Sequence, residues 1–326
     1  MVQTLNIFYE EPETDRWLPL DRYPRRMVRR IVRGKPRPRG QTRVFLNLCA
    51  GLDILGIPYR INRYRHIERH PEELVCIIGK PHVLNKIRWP GPIMFGAAVH
   101  SHPLSDPDLL KRLPVRKVLV PGEWMRKMCE PYYGEAVVAW PVGIDTDSWI
   151  GGGDTQKKFD FLIFDKVLWE HEKYEASLIE PIRQELRQRS FTYSEIRYGY
   201  YEEETFYEKL RSCRAMIFLC EHETQGIAYQ QALACDIPVL AWDRGGYWQD
   251  PEFYPHRVKF GPVTSVPYWD ERCGRKFAHT AEFSEQLSEF WANLSNYSPR
   301  DYILQNLTLE ICARKYFEHS QNINGG

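Results

Sequence analysis

Several large protein classes are excluded by what this chain does not contain. No apolar run approaches the ~20 residues of a membrane span. The opening stretch, MVQTLNIFYEEPE, does not have the basic-then-apolar layout of a signal peptide. Cysteines occur at 49, 76, 129, 213, 220, 235, 273 and 312, without a Cys-x-x-Cys pair or metal-type spacing. Most lie in apolar runs, which suits buried thiols in a reducing compartment. Charge of one sign is also missing. With 44 basic and 43 acidic residues the net charge is +1, so nothing draws the whole chain toward nucleic acid. There are no internal repeats and no low-complexity tail. Together these absences predict a cytoplasmic protein, in which the Asn-x-Ser/Thr matches at 293, 296 and 306 carry little meaning.

What is present is ample core-forming material. The 326 residues are 43% hydrophobic and 13% aromatic, enough for two domains of ordinary size. Strand-like runs are read at 3–9, 58–62, 74–78, 92–99, 116–120, 136–140, 159–164, 193–198, 215–220, 237–241 and 257–260. Helical stretches fall between them at 41–56, 105–112, 122–130, 171–189, 203–213, 226–235, 280–294 and 300–318. This alternation predicts an α/β protein with parallel sheets. The glycine-rich GGGDTQKK at 151–158 reads as a linker. The expected layout is therefore a first domain over 1–150 and a second over 151–299, with a helix at 300–326 packing back on the first.

The most informative segment is FLCEHETQGIAYQQALACDIPVLAWDRGG, residues 218–246. A buried strand enters a loop holding Glu223 and Gly226, a helix follows, and a second strand ends at Gly245-Gly246. In such a unit the helix N-terminus offers unpaired backbone N–H groups to a phosphate. Glu223 and Gln231 stand eight residues apart. Over a helix that is ~12 Å, about the span from sugar to ribose in a nucleotide-diphosphate sugar. The same pattern is also compatible with an ordinary Rossmann-type crossover that binds no ligand.

This segment resembles the donor-binding signature of GT-B glycosyltransferases of the retaining family 4 type, Glu-x7-Glu followed by small-Cys-Gly-x-Pro-Val. The chain departs from it at Gln231, where the second acid is usual, and at Asp236, where glycine is usual. A second string, PVGID at 141–145, is similar to the stretch that closes the first domain in these enzymes, and PGEW at 121–124 lies shortly before it. The likeness runs from about residue 90 to 246.

The resemblance implies two Rossmann-like domains facing a central cleft. It further implies transfer of a sugar from a nucleotide-diphosphate donor to a glycan, lipid or small-molecule acceptor, with retention and without a metal or other cofactor. Within it, Glu223 would bond sugar hydroxyls, and the loop of Thr224, Gln225, Gly226 and Ile227 would hold the diphosphate. Gln231 would meet the ribose, its amide replacing a charge-assisted bond worth ~1.5–3 kcal/mol. Tyr198-Gly199 falls where the base is usually seated.

Charge building on the leaving diphosphate needs a metal or cationic groups. No Asp-x-Asp sits at the end of a read strand, which leaves Lys166 and Lys173 as candidate cations. Lys166 directly follows a buried strand and so faces the ligand crevice of such sheets. The resemblance also implies a histidine near the reacting sugar at a strand end, for which His102 is the first choice and His100 the second, with His82 an acceptor-side candidate. The basic run RYPRRMVRRIVRGKPRPR at 22–39, extending to Arg43, is the one concentration of charge. Arg25, Arg26 and Arg29 within it are candidates for an anionic or lipid-linked acceptor or for a peripheral membrane surface. No nucleic-acid-binding motif accompanies them. A nucleotide-sugar epimerase of the same fold, or a binding protein built on a decayed transferase, is the alternative.

Overall fold

The computed structural model describes residues 3–11, 40–97, 100–152 and 157–324. They form two compact units. The first comprises the described residues within 1–121, 129–140 and 312–326, and the second those within 122–128 and 141–311. The division thus falls at Pro141, ahead of the glycine-rich 151–158 stretch, of which 153–156 lie outside the described residues.

The first unit is a six-stranded parallel sheet of β1 (Leu5–Phe8), β2 (Tyr59–Ile61), β3 (Val75–Gly79), β4 (Ile93–Ala97), β5 (Val115–Val120) and β6 (Val137–Ala139). Its order is β2-β1-β3-β4-β5-β6. Helices α1 (Gln41–Ile54) and α2 (Tyr64–Arg69) connect its first strands, and α3 (Glu123–Tyr133) precedes β6. β1, β3 and β4 are buried along their whole length, which is why β3 and β4 read as unbroken apolar runs rather than alternating ones, while β1 carries one buried polar residue, Asn6.

The second unit carries β7 (Phe159–Asp165), β8 (Tyr193–Arg197), β9 (Cys213–Leu219), β10 (Val239–Trp242) and β11 (Gly274–Phe277), in the order β11-β10-β9-β7-β8. Its helices are α4 (Glu180–Gln188), α5 (Glu203–Ser212), α6 (Ile227–Ala234), α7 (Phe283–Ala292), α8 (Pro299–Asn306) and the start of α9 (Leu309–Asn324). Phe161, Ile163 and Leu240 pack with Ile182 and Leu186 of α4 and Leu287 and Phe290 of α7 on one face. Phe164 on the other face meets Phe206 of α5, ring centroids 5.2 Å apart. Each of these side chains contributes about 1.5–3 kcal/mol by leaving water.

Two expectations are corrected. The 257–260 segment is not a strand: the backbone N–H of Val258 turns back to the Phe253 carbonyl. The fifth strand is instead β11, a four-residue edge whose Arg275 and Lys276 hide it from an apolar-run reading. The helix expected over 300–318 is two, α8 and α9, separated at Leu307-Thr308. There the chain leaves helical geometry to bridge Ile144, and the Thr308 hydroxyl accepts from the Ile311 N–H to start α9. This close pass also accounts for PVGID. A Cβ on Gly143 would lie 2.6 Å from the Leu309 Cα.

Candidate functional site

In the second unit β7 pairs with β8 on one side and with β9 on the other. The chain reverses its winding at β7, and in open parallel sheets the crevice outside the carboxyl ends at such a reversal is where ligands bind. Asp165 ends β7 and Lys166 follows it, Tyr198 follows β8, and Cys220, Glu221, His222 and Glu223 follow β9.

Two of the expected residues meet at this reversal from 57 positions apart. The Lys166 ammonium is hydrogen-bonded and ion-paired with Glu223 Oε1, the side chains being only 15% and 8% exposed. It also lies 4.4 Å from the centroid of the Tyr198 ring. Burial alone would pull the Lys166 pKa down, but the Glu223 carboxylate outweighs it and keeps the lysine charged well above its ordinary range. The backbone of Glu223 is held as well. Its N–H donates to the Thr264 carbonyl at 2.9 Å, and its carbonyl accepts from Trp124 Nε1 at 2.7 Å.

Sequence reasoning passed over the groups that support this pair. The buried Glu221 carboxylate accepts from the backbone N–H groups of Leu168 at 2.9 Å and Trp169 at 2.7 Å. It thereby fixes the loop that leaves Lys166. Burial raises its pKa, against the lowering by those same amides. His222 lies between the rings of Trp169 and Trp124, at 4.8 and 5.6 Å, with its Nδ1 unpaired. Burial, reinforced by the Arg244 and Lys166 charges, lowers its pKa to about 4, so the ring is neutral. Asp165 accepts from the Val167 N–H and stands 2.7 Å from His171 Nε2. The signal for the β9 end was visible as CEHE, three polar residues directly after an apolar strand. Nothing local marked Asp165 or His171.

Gly226 opens α6 with φ +80, and a Cβ there would lie 2.0 Å from Tyr229 Cε1. Tyr229 cannot yield, because its hydroxyl bridges the backbone N–H and carbonyl of Tyr268, each at 3.0 Å. Only glycine fits, and the helix start with Ile227 is left with amide groups that α6 itself does not use. Gln225 is engaged elsewhere. Its amide pairs with both the N–H and the carbonyl of Val142, at 3.0 and 3.3 Å, and with Gln230. It ties PVGID to this loop, a role in holding the backbone. The Gln231 side chain is buried on α6, eight residues after Glu223. Thr224 is half-buried, and its carbonyl would sit 2.9 Å from a Cβ on Gly122. Gly199, at φ +87, turns the chain after Tyr198 in the open, beside the exposed Tyr200.

Other expected residues lie apart from this cluster. Lys173 is exposed and paired with Glu170 at 3.1 Å on the first helical turn after Glu170. In the first unit His102 is buried, and its Nδ1 accepts from the Leu104 N–H at 3.1 Å, which puts a neutral ring's proton on Nε2. His100 is half-buried near Asp106, and burial lowers its pKa. His82 is exposed in a short 3₁₀ turn after Lys80. Arg25, Arg26, Arg29 and the rest of the 22–39 basic run are outside the described residues.

The first unit has its own reversal, between β1 and β3. The Tyr9 hydroxyl donates there to Glu11 at 2.6 Å, and Tyr64 donates to Glu10 at 2.6 Å. Lys86 pairs with Glu10. Gly79, at φ +113, leaves room for the Tyr9 ring, 3.3 Å from where a Cβ would be.

No protein-family model matches the sequence, and no curated protein does. Solved structures do match. A Staphylococcus aureus TarM structure containing UDP superposes with a TM-score of 0.54 at 12% identity, over 80% of this chain and 58% of that one. Sucrose-phosphate synthase from Thermosynechococcus elongatus gives 0.52 at 9% identity, over 80% and 76%. The pneumococcal O-GlcNAc transferase GtfA, with UDP and GlcNAc, gives 0.50 at 9% identity, over 80% and 60%. The chain therefore spans little more than half the length of TarM and GtfA. Two Rossmann-like α/β units with parallel sheets, matched to these enzymes, define the GT-B glycosyltransferase fold.

Proposed function

We propose that this chain is a glycosyltransferase that takes a sugar from a nucleotide-diphosphate donor bound by the second unit. The observation that carries the reading is the buried Lys166–Glu223 pair at the β7/β9 reversal, next to the glycine-started helix α6. Cation, carboxylate and helix amides at one place match the three parts of such a donor. Lys166 and the amides following Gly226 hold the diphosphate, and Lys166 interacts more strongly as the leaving group gains charge. Glu223 takes the sugar hydroxyls, and Gln231 faces the ribose with a neutral amide. Tyr198 takes the base.

In this reading the donor enters by dividing the Lys166–Glu223 contact, each side chain keeping a polar partner on the ligand. Phosphate charge is met by protein groups, so the reaction is metal-independent, with retention as the stereochemical outcome. The β1/β3 reversal of the first unit, with Tyr9, Glu10, Glu11 and Lys80, is the acceptor side. A glycan or lipid-linked acceptor is the proposed partner.

A thermal-shift panel of UDP, GDP, ADP, CMP and dTDP tests the donor site, UDP first because TarM and GtfA contain it. A ligand at 100 times its dissociation constant adds ~2.7 kcal/mol of stability. Stabilisation by one diphosphate, lost in Glu223→Ala only when the sugar is attached, supports the assignment. No stabilisation by any of the five refutes a nucleotide site. Binding without transfer or donor hydrolysis identifies a binding protein instead.

A further inference from the structure

The first unit carries a second chemical cluster, at the opposite end of its sheet from Tyr9, Glu10 and Lys80. Thr4 and Leu74 immediately precede β1 and β3, so this is the amino end of the strands. Here α2 and the turn after it, HIERHPEE, present His66, His70, Glu72 and Glu73. His66 and His70 are one helical turn apart, and their rings lie tilted at 30° with centroids 4.3 Å apart. A ring nitrogen of His70 and one carboxylate oxygen each from Glu72 and Glu73 all lie within 4.8 Å of one another. The turn is rigid at the decisive residue. Glu73 Oε2 accepts from Asn6 Nδ2 at 2.9 Å and Arg60 Nη1 at 3.2 Å, and stands 3.0 Å from His66 Nε2. Three elements, β1, β2 and α2, thus orient one carboxylate.

We propose that His70, Glu72 and Glu73 bind a divalent transition-metal ion of the zinc class, with Asn6, Arg60 and His66 aligning Glu73 from behind. Ligand atoms at ~2.0–2.2 Å from a zinc ion stand about 3.3–3.6 Å apart in a tetrahedron. His70 Nδ1 and Glu72 Oε1 already stand 3.4 Å apart, and this exposed pair needs to close on Glu73 by about an ångström. One imidazole with two carboxylates favours zinc, cobalt or nickel over magnesium, which binds through oxygen alone. The remaining position takes water or an anion. A cavity of about 310 Å³ lined by Gln3, Thr4, Arg60, Glu72, Glu73 and Leu74 adjoins the cluster. Arg60 in its wall is a cationic partner for such an anion. The fixed side of Glu73 is what makes this more than a surface acidic patch, since partners behind a ligand set its direction and typically change affinity 10–100-fold.

The site lies in the first unit and involves none of the residues assigned to the donor, so its role is to brace α2 and the 70–74 turn against β1 and β2. The test is zinc chloride titrated calorimetrically into the full chain, with cobalt chloride absorption as a second readout. The wild type should bind one zinc that magnesium does not displace, and give a visible cobalt band of low coordination number. His70→Ala and Glu72→Gln should each weaken that site at least tenfold and abolish the band. Both side chains are exposed, so metal-free melting temperatures should match the wild type. If one variant melts early, the other carries the result. Wild-type zinc affinity and stoichiometry in both variants, or no zinc binding by the wild type, overturns the proposal.

Discussion

Removing one member of the Lys166–Glu223 pair should harm the fold as well as the chemistry, and a double-mutant cycle separates the two. Both side chains are buried, so the desolvation of each charge is balanced by the other. At an effective dielectric of 20, two charges about 4 Å apart attract by about 4 kcal/mol. Lys166→Met leaves the Glu223 carboxylate buried beside the neutral Tyr198 ring, and Glu223→Gln leaves the ammonium there. Each single change should cost ~3–5 kcal/mol of the second unit's stability. The double variant replaces the pair by two neutral groups of similar shape. It should recover at least ~2 kcal/mol of the summed loss, because neither charge is then stranded. Urea unfolding followed by tryptophan fluorescence reads this, Trp124 and Trp169 lying beside the site. Turnover should stay lost in all three. Additive stability losses, with no coupling energy, refute the pair. Turnover restored in the double variant refutes its place in the reaction.

Further outcomes follow from the same geometry. Under the proposed assignment of the diphosphate charge to Lys166 and the amides of α6, turnover should survive EDTA; complete loss restored by manganese or magnesium contradicts this. Glu223→Ala should lower turnover by ~2–4 kcal/mol of transition-state stabilisation while nucleoside diphosphate affinity changes little; an equal fall in both places Glu223 on the nucleotide. Gly226→Ala combines a left-handed backbone with a Cβ 2.0 Å from Tyr229, so it should destabilise by about 3 kcal/mol in chemical denaturation, and a neutral result contradicts the packing. For His222 the folded pKa of about 4 lies below the ordinary 6.5, so the unfolded chain takes up the proton first. Its stability contribution is complete above pH 6.5 and falls by up to roughly 3 kcal/mol as pH drops toward 4. His222→Phe should flatten that part of the stability–pH curve; an unchanged slope assigns it to other groups.

The sequence by itself determined the strands and the helix-start chemistry. Buried parallel strands are continuous apolar runs, so VCIIG, FDFLIF and RAMIFL were legible one by one, and a loop that ends in an obligatory glycine before a helix is a local pattern. The resemblance through residues 218–246 singled out Glu223 and Gly226 as candidates for the same reason, because their geometry is set within a single βα turn. What the sequence misread had no local signature. β11 is a short polar edge that exists by pairing with β10, and α8 and α9 part only because the Ile144 backbone passes between them. Tertiary structure alone decided which of the candidate residues meet. Strand order, which no stretch of sequence encodes, set β7 beside β9 and so brought Lys166 to Glu223 and the Leu168 and Trp169 amides to Glu221. It also left Lys173 on the surface, a few residues from Lys166 in the chain but outside the reversal, because the residues that share that crevice follow directly on the carboxyl ends of β7, β8 and β9.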